Sequence, residues 1–108
     1  MTRIIDVSMS EFALFLKELR MNSGYTQTQF AAKLGIDTAA LSKIENGKKH
    51  LDPNRLTIIA EEFNINLDFL KANYFGEKMA LELYYNNCPH KTFDVIKHKF
   101  NSLGGVLK

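Results

Sequence analysis

Residues 26–47, TQTQFAAKLGIDTAALSKIENG, decide how this chain folds. Two short helical patterns sit here with almost nothing between them. Thr26 followed by Gln29 has the spacing of a capping box, in which each side chain satisfies a backbone N–H of the other end of the first turn. Phe30, Ala31 and Leu34 then give one apolar side, and Gly35 stops the pattern. Asp37 is a good N-cap for the second helix, with Ile36 and Leu41 spaced as a hydrophobic staple around it. Ile44 extends that face and Gly47 ends it. Only Gly35 and Ile36 separate Leu34 from Asp37, so the chain must bend sharply, and glycine permits the backbone this needs. The second helix is therefore held across the first. Leu41 and Ile44 turn inward, while Thr38, Ala39, Ser42 and Lys43 turn outward. The outward face is small at its N-terminal end, which lets a helix backbone approach a groove closely. The major groove of B-DNA, about 12 Å wide, admits one helix.

The same punctuation continues on both sides. Ser8 and Glu11 have capping-box spacing, and Phe12, Phe15, Leu16 and Leu19 follow as one apolar face, stopped by Gly24. A fourth helix is expected from Asp52, with Pro53 at its first position and Leu51 and Leu56 as a staple. Its inward face is Leu56, Ile59, Ala60 and Phe63. Asn66 caps a fifth helix, flanked by Ile65 and Leu70. Beyond Tyr74 the segment YFGEKMALELYYNN is strongly helical. The fifth helix either runs through Gly76 or breaks there, since glycine inside a helix costs about 1 kcal/mol relative to alanine. After NNCP, residues Phe93, Ile96, Phe100 and Leu103 mark a last amphipathic helix, ended by Gly104 and Gly105. Only RIIDV, near the start, has a weak strand pattern. The expected fold is all-α.

With 108 residues, 45% of them apolar, the chain is expected to fold as one domain with a modest core. No apolar run approaches the roughly 20 residues of a membrane span, and MTRIIDVSMS lacks the apolar run of a secretory signal. A single cysteine, Cys88, rules out an internal disulfide and agrees with a reducing, cytoplasmic setting. The net charge of +2 is too small to name a partner, but its distribution is uneven. Lys43, Lys48, Lys49 and Arg55 fall within thirteen residues, with His50 among them and only Glu45 and Asp52 opposing. From Glu61 onward six lysines balance six acidic residues. The basic excess thus sits beside the two close helices.

Residues 12 to 70 resemble the Xre/Cro-type helix-turn-helix domain of phage repressors and bacterial regulators. The resemblance is carried by LKELRMNSGYTQTQFAAKLGIDTAALSKIENGKK, with Arg20, Gly24, Thr26-Gln27, Ala31, Leu34-Gly35 and Ile44-Glu45-Asn46-Gly47 in colinear order. It implies a five-helix repressor-like DNA-binding domain with residues 37–46 as the recognition helix, followed here by a C-terminal helical extension. It implies a double-stranded DNA partner, with Thr38, Ala39, Ser42 and Lys43 facing base edges. Gln27, Asn46, Lys48 and Lys49 would hold phosphates, and Arg20 and Glu45 would form a partly buried ion pair. The chemistry agrees: lysine donates to guanine O6 and N7, and threonine, serine and alanine meet a thymine methyl or a single acceptor. Thr38 and Ala39 depart from relatives with Gln or Arg at the first recognition positions. Direct readout then rests on Ser42 and Lys43, with DNA shape supplying the remainder.

The expected organisation is an N-terminal arm (1–8), the DNA-binding domain (9–73) and a helical extension (74–108). Binders of this type usually dimerise, so that two recognition helices meet the groove about 34 Å apart. Leu67, Leu70 and Tyr74, with Leu81, Tyr84 and Tyr85, share one broad stripe if the fifth helix is continuous. Leu81, Tyr84, Tyr85, Phe93, Ile96 and Phe100 are the expected homodimer contacts. The extension also resembles, by composition and helix placement, Xre-type regulators found beside restriction or DNA methyltransferase genes. The competing function is an antitoxin or adaptor that uses this scaffold for protein contacts, without salt-dependent DNA binding. His50, Cys88, His90 and His98 lack the paired spacing of a zinc site, so no metal or other cofactor is expected. Nothing marks an oxyanion hole beside Cys88 or a phosphate-cradling glycine loop, so no enzymatic activity is expected either.

Overall fold

A computed structural model describes residues 10–105, and the described part is helical throughout. The elements are α1 (Glu11–Asn22), α2 (Gln27–Leu34), α3 (Thr38–Glu45), a 3-10 turn (Pro53–Arg55), α4 (Leu56–Phe63), α5 (Leu67–Tyr85) and α6 (Lys91–Ser102). The first five helices pack around one core. Phe12 and Leu16 from α1 meet Phe30, Ala31 and Leu34 from α2, and Leu41 and Ile44 from α3. Leu51, Leu56, Ile59, Leu70 and Tyr74 close it from below. Helix α1 packs on α3 and α5, α2 on α3 and α4, and α4 on α5. Apolar burial of this kind contributes roughly 1.5–3 kcal/mol per large side chain, which is what holds such short helices.

Local signals set most boundaries. The capping box at Thr26 and Gln29 is complete, with both reciprocal hydrogen bonds formed. Asp37 accepts from the Ala40 N–H at 2.6 Å and Asn66 from the Phe69 N–H at 3.0 Å. Helix α2 ends in a tight motif in which Ile36 N–H donates to Ala31 and Gly35 N–H to Ala32. Gly35 holds φ +73° there, a conformation that side-chain-bearing residues adopt with difficulty.

Two boundaries differ from the sequence expectation, and one left open is decided. Helix α1 is capped by Ser10, whose Oγ accepts from the Ala13 N–H at 2.9 Å; Ser8 lies outside the described residues. The start is fixed from a distance, because Glu77 of α5 takes the free Phe12 N–H at 3.1 Å. The 1–8 arm and RIIDV also lie outside the described residues. Asp52 begins a 3-10 turn, and α4 itself starts only at Leu56. The cause is local: Asp52 accepts from Asn54 N–H through its side chain and from Arg55 N–H through its carbonyl, which winds the turn tightly. Finally, of the two courses open at Gly76, the chain takes the continuous one, and α5 runs through it for 19 residues.

Candidate nucleic-acid interface

Helix α3 has one buried edge and one open edge. Leu41, Ile44 and Glu45 are buried. Ala39 and Lys43 are exposed, and Thr38 and Ser42 are half-buried on the same outer side. Thr38 Oγ1 lies 3.4 Å from the hydroxyl of Thr28 on α2, so its polar end points toward the seam between the two helices. The structure therefore places the four expected base-facing residues together, with small side chains at the N-terminal end.

Below them the chain closes α3 through a second tight motif. Gly47 N–H donates to Ile44, and Lys48 N–H to Lys43 at 2.9 Å. Gly47 again takes a positive φ, +74°. Immediately after this turn the side chains of Lys48 and Lys49 are exposed, as is Asn46 before it. Among the described residues, Lys43, Lys48 and Lys49 have no ion-pair partner. The open edge of α3 is thus flanked by uncompensated positive charge.

The end of α3 is anchored by a polar network. Arg20 grips Glu45 with two donors, Nε to Oε2 at 2.7 Å and Nη2 to Oε1 at 3.1 Å. Its remaining Nη1 donates to the carbonyl of Tyr25 at 3.0 Å. Gln27 donates its amide to Glu45 Oε1 at 3.1 Å. One carboxylate, with a side chain only 1% exposed, therefore ties α1, the first residue of α2 and the last residue of α3 together. A planar guanidinium with two parallel donors fixes direction as well as distance. Gln27 is half-buried and its amide faces Glu45, joining the start of α2 to the end of α3.

Sequence reasoning missed the contacts that hold the lysine loop. The Tyr74 hydroxyl of α5 donates to the carbonyl of Leu51, and the His50 ring stands edge-on to Tyr74 at 6.4 Å. Burial, and then the negative charge of Asp52, push the Tyr74 phenol above its ordinary titration range. The one cue was Tyr74 in the apolar stripe of α5; nothing in its spacing named Leu51. On the far side of the domain, Tyr25 donates to Glu62 and stacks on Phe30. That hydrogen bond to the carboxylate is the main cause that raises the Tyr25 phenol.

The residues expected at a dimer contact lie elsewhere. Tyr84 and Tyr85 are 53% and 60% exposed, and Phe93, Ile96 and Phe100 are 51%, 40% and 43% exposed, whereas Leu81 is half-buried. No residue of α6 is buried. A mostly apolar cleft of about 190 Å³ opens between α5 and α6, lined by Phe75, Met79, Leu83 and Ile96 with Lys78 and Glu82.

Two short helices joined by a three-residue bend, the second offering an open, cation-flanked face, define a helix-turn-helix module. The family model described as Helix-turn-helix matches residues 16–70, and the chain belongs to that family, in its Xre-like branch. Over 55 residues it is 36% identical to the HTH-type transcriptional regulator ImmR of Bacillus subtilis (strain 168). That match covers 51% of this chain and 43% of the relative, so the chain spans less than half of that protein. No solved structure matches the chain. Among the described residues, no helix is long and apolar enough to cross a membrane.

Proposed function

We propose that this chain is a transcriptional regulator that binds double-stranded DNA sequence-specifically, acting in the cytoplasm and without enzymatic chemistry of its own. One observation carries the reading: the outer edge of α3 is open, small and flanked by unpaired lysines, while its inner edge is locked to the core. Thr38, Ala39, Ser42 and Lys43 read base edges, Lys43 and Ser42 providing the directional hydrogen bonds. Asn46, Lys48 and Lys49 hold the phosphates. Gln27, at the first turn of α2, does both jobs: its amide braces Glu45, and the N–H groups of that turn point at a phosphate. The relative's description as a transcriptional regulator agrees with this reading.

The regulator binds as a homodimer to a two-fold symmetric site. Residues 74–108 supply the contact, through Leu81, Tyr84, Tyr85, Phe93, Ile96 and Phe100. The exposed apolar surface there supports this. Several aromatic side chains, each able to bury about 150–250 Å², match the roughly 800 Å² per partner of a stable interface. Residues 9–73 form the reading domain and 1–8 an arm, with α5 crossing from one part to the other.

Selection of bound sequences from a random duplex pool, followed by salt titration, tests the proposal. The expected result is an inverted repeat bound with a steep salt dependence. Binding to no duplex at low salt would sink it in favour of the antitoxin or adaptor reading. A selected site upstream of the chain's own reading frame, beside a restriction or methyltransferase gene, would identify it as a control protein of that kind.

A further inference from the structure

Arg55 has no place in the roles given so far. It ends the 3-10 turn that follows the lysine loop, yet its side chain reaches back to the helix-turn-helix bend. Nη1 donates to the carbonyl of Leu34, the last residue of α2, at 2.9 Å. The motif that closes α2 uses the carbonyls of Ala31 and Ala32 and leaves that of Leu34 without a backbone donor. Such terminal carbonyls need an outside partner, and a cation suits the negative end of the helix dipole. The guanidinium also lies against the bend itself. A Cβ added at Gly35 would meet Arg55 Nη1 at 2.9 Å. One side chain thus closes on both the end of α2 and the residue that turns the chain into α3.

We propose that Arg55 is a positioning residue for sequence readout: it clamps the α2–α3 bend from the 3-10 turn and so fixes the direction in which α3 presents Ser42 and Lys43. This rests on α3 being the reading helix. Arg55 faces the bend, so it sets specificity without contributing charge to the DNA backbone. Glu45 ties the far end of α3 to Gln27 and Arg20, and Thr38 meets Thr28 across the seam, but at the bend itself, besides its own backbone hydrogen bonds and the packing of Ile36 and Leu41, Arg55 reaches in from another element.

Arg55→Met keeps the aliphatic stem and removes the donors, while Arg55→Lys keeps one donor. Both are compared with the unaltered chain well below their melting temperatures, where lost stability alone leaves a ratio of affinities unchanged. Arg55→Met is expected to bind the selected site on the order of ten-fold more weakly, the scale of one charged hydrogen bond. Its affinity for random duplex and its salt slope stay as they were, and Arg55→Lys recovers part of the loss. Backbone hydrogen exchange at Gly35 and Ile36 is expected to quicken in Arg55→Met without DNA present. Equal losses on both duplexes with a shallower salt slope would make Arg55 a phosphate ligand and overturn the clamp. An unchanged affinity ratio, or unchanged exchange at the bend, would overturn it as well. If the unaltered chain does not discriminate between duplexes, the DNA reading fails on its own, and the exchange measurement still decides whether Arg55 holds the bend.

Discussion

Glu45 concentrates the most chemistry in the least space. It is buried, charged, and satisfied by three donors from two side chains. Removing one partner of such a pair leaves the other uncompensated, at roughly 3–5 kcal/mol. Glu45→Ala is therefore expected to lower the melting temperature far more than Lys43→Ala, and equal values in thermal denaturation would refute the anchor. Under the proposed function the exposed lysines divide by task. Lys43→Ala should relax preference at one base position, at about 1–3 kcal/mol of discrimination. Lys49→Ala should weaken all duplexes alike and reduce the salt slope by about one. Tyr74 gives an alkaline signature. Its phenol titrates higher in the folded chain than in the unfolded one, so the folded state keeps its proton longer. Its contribution is complete below the ordinary tyrosine value of 10.0 and is lost as pH rises through the folded value. Denaturant titrations at pH 8 to 11 should show that decline steepest in the unaltered chain and shallower in Tyr74→Phe. At this scale the sequence was only partly readable. Arg20 and Glu45 stand 25 positions apart, so no helical spacing joins them, and only the resemblance paired them. Arg55 and Glu77 had no cue and the Tyr74–Leu51 bond only the place of Tyr74 in an apolar stripe, because a side chain reaching a distant backbone group leaves no periodicity.

Elements were far more readable than contacts, since caps and stops act over three or four residues. Thr26, Asp37 and Asn66 cap the helices they should, and Gly35 and Gly47 follow α2 and α3 in left-handed turns. The misplacements have different causes. The start of α1 depends on Glu77, 65 residues away from Phe12, and a local pattern cannot contain that. At Asp52 the pattern marked a helix start correctly but could not separate a 3-10 first turn from an α one. Gly76 was open because a glycine's cost is local, whereas continuing α5 brings Glu77 to the start of α1, a contact no local pattern holds. That position now yields an element-level prediction. A Cβ there meets nothing within 4 Å, and the helix needs no positive φ at that site. Gly76→Ala should stabilise the chain by about 0.5–1 kcal/mol in chemical denaturation.

The whole molecule is less compact than its length requires. Its Cα radius of gyration is 15.8 Å, against about 13 Å for a compact domain of this size. The excess belongs to the far half of α5 and to α6, which carry exposed Phe, Tyr and Met side chains away from the core. Phe100→Glu should shift light-scattering mass at micromolar concentration from two chains to one while the circular dichroism of the domain is kept. A single-chain mass for the unaltered protein, with and without DNA, would refute the dimer. The unbroken course of α5 matters most at this scale. Leu70 and Tyr74 hold one end of it in the core, and Tyr84 and Tyr85 stand at the other. A helix of this kind is a ruler with an angular scale. One residue inserted beyond Glu77 would advance its tip by about 1.5 Å but rotate it by about 100°, whereas a seven-residue insertion nearly restores the heading. Two joined copies would then sit out of phase on the double helix in the first case and merely farther apart in the second. If the chain pairs as proposed, the preferred gap between operator halves would follow from the helical pitch of this one segment.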